Sequence, residues 1–325
     1  MRLYFAAGCE GLYEVTRAKY ANAPWRKKLV KHGAGASLFD TFLAHKGDSQ
    51  RDLYGVVRNM IGNDGWITCD SGAYTVFAAL GLTTTVGAKK LPFGGDYDAY
   101  FKAYLEWAVD NEQNVDYFVE LDLQELVGRK KVDEWLRLWQ KAGLAHRVIR
   151  VWHGNVDSAR DFEDMCATTP SRYIAIEGLR PGRAALPYRE MALRAYSEQC
   201  RLHGLALCNS SVLLQAPFYS VDSSSYLGPR RFGSFIFYDP RKFAVQTCRN
   251  PQEALRRGLL TPDDMATLAQ TGKGAPWGMR GGKVRFVHGI GEYRKMEKHL
   301  TALWKARGID WSKLDKGGVC LGLRS

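Results

Sequence analysis

Apolar, β-branched or aromatic runs of strand length recur at residues 3–6, 66–69, 117–121, 148–152, 173–176, 205–208, 218–221 and 235–238. Between most of them lie stretches with apolar residues at helical spacing, over 97–111, 132–142, 159–167 and 188–203. Alternation of this kind predicts a parallel sheet with crossover helices, and eight repeats predict a closed (β/α)₈ TIM barrel of the α/β class. A doubly wound open sheet is the main competitor, yet no Gly-rich phosphate loop follows the first run. After residue 250 the strand pattern stops, while 251–270 and 294–306 read as helical around a Gly-rich basic loop at 273–283. The expected division is a catalytic barrel over 1–249 and a basic helical C-terminal appendage over 250–325.

Composition narrows the class. With 46% hydrophobic and 25% charged residues over 325 positions, the chain has the make-up of a globular protein with a large core, not of a disordered one. The first apolar run is too short for a signal peptide and no later run reaches the length of a membrane span, so a cytoplasmic protein with no membrane partner is expected. Seven cysteines (Cys9, Cys69, Cys166, Cys200, Cys208, Cys248, Cys320) form no close pairs, which suggests reduced thiols without disulfides. Of the net charge of +12, residues 271–325 hold +8, from 12 Lys or Arg against 4 Asp or Glu. A basic surface beside an acidic pocket suits a polyanionic substrate; the plainer reading is a solvated face that aids solubility.

The candidate chemistry is carboxylate chemistry. Asp70 in Cys69-Asp70-Ser71-Gly72-Ala73-Tyr74, Asp122 after Val119-Glu120-Leu121, and Asp222 in Ser220-Val221-Asp222-Ser223-Ser224-Ser225-Tyr226 each end or closely follow an apolar run. In barrel enzymes the C-terminal strand ends carry the reacting groups. Taken singly, Asp70 could cap a helix, Asp122 anchor a loop and Asp222 sit in a turn. The set of three favours a site.

In their order along the chain these segments resemble the tRNA-guanine transglycosylases. The family's Asp-Ser-Gly-Gly-Phe hallmark is similar to Asp70-Ser71-Gly72-Ala73-Tyr74, its base-binding Asp to Asp122, its Gln-Gly pair to His153-Gly154, its Gly-Gly-Leu segment to Glu177-Gly178-Leu179, and its nucleophilic Asp to Asp222. The resemblance spans about residues 65–235. It departs from the tRNA enzymes in having no Cys-x-Cys-x-x-Cys zinc element, since only Cys248 and Cys320 follow Asp222, and in having Thr75 and His153 where those enzymes have Gln. Those departures look like the branch that modifies DNA in phage and bacteria, the 7-deazaguanine DNA transglycosylases (DpdA type).

The resemblance implies exchange of guanine in DNA for a free 7-deazaguanine base such as preQ0, without a cofactor or a metal. Asp222 would attack C1′ and form a covalent intermediate, with retention after displacement by the new base. Asp70 would serve as general acid and base. Asp122 would accept from the two donors on the guanine edge, with Ser71, Tyr74, His153, Glu177, Gly178 and Leu179 around the base. Arg230 and Arg231, with Lys273, Arg280, Lys283 and Arg285 of the basic tail, are expected to hold nucleic acid, and Trp277, Trp304 and Trp311 to lie along the backbone or a displaced strand. The same reaction on tRNA, a hydrolytic glycosylase and an inactive nucleic-acid-binding barrel remain open, as does a helper protein that opens the duplex.

Overall fold

The computed structural model describes residues 1–6, 8–9, 12–13, 34–44, 51–83, 90–177, 186–228, 233–262 and 282–317. Eight parallel strands close into a barrel in sequence order: β1 (Arg2–Ala6), β2 (Ser37–Thr41), β3 (Ile67–Asp70), β4 (Tyr117–Val119), β5 (Val148–Trp152), β6 (Tyr173–Glu177), β7 (Arg201–Leu205) and β8 (Ser220–Ser223). The ring is completed by β1 against β8, with Tyr4 opposite Asp222. The TIM-barrel expectation holds.

Alternation along each strand explains the packing. One set of side chains, Tyr4, Phe39, Tyr117, Val119, Ile149, Val151, Tyr173 and Ala175, fills the barrel; the other, including Leu3, Leu38, Ile67, Phe118, Ile174, Leu202 and Val221, meets the surrounding helices. Those helices include Arg51–Ile61, Tyr97–Asp110, Arg129–Lys141, Ala159–Thr168 and Tyr188–Ser197. Their starts are locally encoded: Asp96 accepts from the Ala99 amide at 2.9 Å, and Ser158 with Asp161 forms a reciprocal capping box.

Two strand assignments change. The run at 235–238 belongs not to the barrel but to β9 (Phe235–Asp239), which pairs antiparallel with β10 (Ala244–Cys248). The strand that takes its place is β2, whose Ser37-Leu38-Phe39-Asp40-Thr41 sequence hides among polar residues because Ser37 and Asp40 are themselves buried. The helix expected over 188–203 ends at Ser197, and β7 begins at Arg201 rather than 205. Arg201 and His203 point into the barrel, so the strand lacks an apolar face on that side.

The C-terminal segment supplies a long helix outside the barrel. Helix Gly282–Ala306 packs on β1, β9 and β10. The Tyr238 amide donates to Glu292 Oε2 at 2.8 Å, and Tyr238 Oη lies 2.8 Å from His299 Nδ1. The hairpin and the terminal helices therefore form one layer against the barrel. Trp304 and Trp311 are core residues rather than nucleic-acid platforms, with indole N–H groups donating to the carbonyls of Leu213 (2.9 Å) and Pro217 (3.0 Å). Trp311 sits under the N-terminal end of the barrel against Tyr196 and Tyr219. Beside it Asp315 binds Arg2 at 3.1 Å and accepts from Tyr219 at 2.8 Å. The described cysteines, Cys9, Cys69, Cys166, Cys200, Cys208 and Cys248, are free thiols, and no helix among the described residues is long and apolar enough to cross a membrane.

Because Trp311 closes the barrel floor, Trp311→Ala is expected to destabilise the protein by about 3 kcal/mol or more. Urea unfolding followed by far-UV circular dichroism measures this; an unchanged midpoint would show that the floor contributes nothing.

Candidate active site at the C-terminal face of the barrel

Asp70 is the last residue of β3, and the chain must turn sharply behind it to enter the helix Ala73–Ala79. Gly72 makes that turn at φ +85°, where a Cβ would come within 2.8–2.9 Å of Leu43 and of Tyr100 Oη. The Gly72 amide donates to Asp70 Oδ2 at 3.2 Å, and Tyr100 Oη donates to the Ser71 carbonyl at 2.6 Å, which pins the turn. Ser71 is fully buried, while Tyr74, one residue into the helix, is 58% exposed and presents a broad ring at the surface.

Burial raises the Asp70 carboxyl most, and the nearby charges of Asp122 and Asp222 raise it further against the Gly72 and Ser71 amides, to about 7. The three acids are thus electrostatically joined, and Asp70 exchanges a proton near neutral pH.

Asp222, on β8, is held from β7. Its Oδ1 accepts from the Ala206 amide at 2.6 Å and lies 3.3 Å from His203 Nε2. His203 Nδ1 in turn lies 2.8 Å from Ser220 Oγ, which is 2.5 Å from Tyr173 Oη. With Asp222 ionised, one arrangement satisfies every atom: Tyr173 donates to Ser220, Ser220 to His203, and His203 to Asp222. Phe39 stacks on the imidazole at 5.4 Å and fixes its plane. Both of these contacts to Asp222 fall on Oδ1.

Asp122 Oδ1 lies 2.6 Å from His153 Nε2. His153 is itself anchored, its amide donating to Asp157 Oδ2 at 2.9 Å, while Gln124 and Arg129 each donate to Asp157 Oδ1 at 2.8 Å. Burial pulls the His153 ring down, but Asp122, with Glu120 and Asp157 behind it, outweighs burial and raises it to about 9. Glu177 ends β6 and is buried. Glu125, His153 and Glu177 bring donor atoms within 4.8 Å of one another, a set that could hold a cation.

Asp70, Ser71, Tyr74, Asp122, His153, Glu177 and Asp222 therefore lie at or just beyond the C-terminal ends of β3, β4, β5, β6 and β8. His153 is placed to orient Asp122. Gly178, Leu179, Arg230, Arg231, Lys273, Arg280 and Trp277 lie outside the described residues, as does the side chain of Lys283. Arg285 is corrected: it is 3% exposed with its guanidinium 5.3 Å over the Phe235 ring, inside the C-terminal layer instead of on an open basic surface. His203 and Asp157 were not anticipated. A lone His between Leu202 and Gly204 carries no sequence signal, because its partners Ser220 and Asp222 come from the next strand.

No family model matches the chain, and no curated protein is significantly similar to it.

Asp70 gives a pH prediction. Its folded-state value of about 7 lies above the ordinary 3.8, so the folded protein holds a proton that the unfolded chain releases. Stability from this group is full below about pH 4 and is lost as pH rises through about 7. Asp70→Asn keeps an acceptor for the Gly72 amide and is expected to stabilise the protein at pH 8 by about 2 kcal/mol, seen as a higher melting temperature. The difference from wild type should vanish near pH 4; a pH-independent difference in scanning calorimetry would contradict the assignment.

Proposed function

We propose that this protein is a base-exchange transglycosylase that replaces guanine in DNA with a 7-deazaguanine. The observation that carries the reading is the coupling of Asp70, Asp122 and Asp222 at one end of the barrel, with Asp70 raised to about 7 and Asp222 held through one oxygen. Replacing a base requires a carboxylate that can bond to C1′, an acid that can protonate the departing base, and an acceptor that recognises it.

Asp222 Oδ2 attacks C1′ through an oxocarbenium-like transition state while His203 and the Ala206 amide hold Oδ1. Asp70, near its midpoint at neutral pH, gives its proton to the leaving guanine. The resulting carboxylate takes a proton from the incoming 7-deazaguanine, whose ring nitrogen displaces Asp222 from C1′ and restores the original configuration. Asp122, oriented by His153, accepts from the N–H and amino donors of a guanine-type edge. Tyr74 offers a stacking face at the mouth. DNA in preference to RNA rests on the departures from the tRNA enzymes.

The test is incubation of the purified chain with guanine-containing DNA and preQ0, followed by nuclease digestion and mass spectrometry of the nucleosides. A deazaguanine deoxynucleoside is expected from wild type, with Asp222→Ala losing more than about 10³-fold of the rate. Exchange surviving in Asp222→Ala overturns the mechanism. Product on tRNA alone moves the substrate to RNA, and abasic sites formed without added base indicate hydrolysis.

A further inference from the structure

We infer that Glu125, His153 and Glu177 form a binding site for one divalent transition cation of the manganese or zinc class. The donors come from three separate elements: Glu125 from the helical turn Gln124–Val127 after β4, His153 from the end of β5, and Glu177 from the end of β6. The barrel brings one ligand atom from each within 4.8 Å of the others. An ion that binds each donor at about 2.1 Å spans up to about 4.2 Å between opposite donors, so small rotations of the two glutamate side chains complete the set.

His153 supplies an independent observation. It is 2% exposed, and among the described residues its Nδ1 has no hydrogen-bond partner. A buried imidazole nitrogen seldom stays unsatisfied. The other nitrogen, Nε2, faces Asp122 Oδ1 at 2.6 Å, so Nδ1 is the one turned toward a cation. Asp122 on Nε2, with the His153 amide on Asp157, fixes the ring by the carboxylate–histidine–metal arrangement that orients metal-bound imidazoles. On binding, Nδ1 gives up any proton it carries to solvent and donates its lone pair to the ion, while the proton on Nε2 stays facing Asp122.

One imidazole and two carboxylates suit manganese or zinc rather than a soft, thiolate-seeking metal. Two carboxylates balance the ion's charge, and three protein donors leave positions for water or for an oxygen of a ligand. The site does not depend on base exchange being the reaction.

The experiment strips the full-length protein with a chelator, then titrates Mn²⁺ followed by electron paramagnetic resonance and Zn²⁺ followed by calorimetry. One ion per chain is expected, weakened about tenfold or more in Glu125→Gln and in Glu177→Gln, and about 10- to 100-fold in Asp122→Asn, which leaves the three ligands in place. Circular dichroism checks that each variant is folded. If a variant fails to fold, Mn²⁺ broadening of the His153 ring resonances in the wild type is the second reading, and it is expected to be selective for that histidine. Absence of saturable binding of either ion, binding that persists in the folded Glu125→Gln/Glu177→Gln protein, or broadening confined to other histidines overturns the site. Base exchange is assayed separately, so failure of exchange leaves the binding result intact.

Discussion

Pairing of β1 with β8 is the constraint on which the rest depends. In an open sheet with strands about 4.8 Å apart, the ends of β3 and β8 would lie five steps, or about 24 Å, from each other. Closure leaves them three strands apart around the ring and facing each other across the barrel mouth, so that Asp222 acts on Asp70 as a like charge. Tyr4 opposite Asp222 marks the seam, and the Trp311 floor with the Arg2–Asp315–Tyr219 contacts holds the same seam from the N-terminal end.

A closed barrel of this size has an interior with little room for water, and this one places Ser37, Thr68, Arg201, His203 and Ser220 inside it. Burying such groups is tolerated where each finds a partner. The Tyr173–Ser220–His203–Asp222 chain meets that condition for two of them, His203 and Ser220, and ends on a carboxylate at the open face. The same interactions that satisfy the interior therefore orient the acid. On the other side of the mouth, Asp157 does similar work for His153, and His153 for Asp122. Burial of the Asp70 carboxyl, with the like charges of Asp122 and Asp222 added to it, is why this group holds its proton to about pH 7.

The C-terminal layer shows how a charge count can mislead. Residues 271–325 carry +8, yet Arg285 is buried, Arg294 pairs with Glu297 and Lys295 with Glu292. Its tryptophans pack on the barrel instead of facing outward. For the described part of this segment, the basic residues and tryptophans serve the attachment of the long helix as much as any surface.

The strand–helix rhythm and the placing of Asp70, Asp122 and Asp222 at or near strand ends were legible in the sequence, because alternation and helical spacing act over a few residues. Strand β2 and the start of β7 were not, since Ser37, Asp40, Arg201 and His203 are polar residues buried by tertiary packing and read locally as surface. The hairpin β9–β10 was mistaken for a barrel strand for the converse reason: its apolar face is covered by the 282–306 helix, and a buried face looks the same whatever buries it. By itself the sequence determined the fold class and which acids stand where β-strands end. Only the tertiary structure decided that His203 holds Asp222, that His153 faces Asp122, and that Glu125 and Glu177 converge on it, because these contacts join residues from different strands and exist only once the barrel has closed.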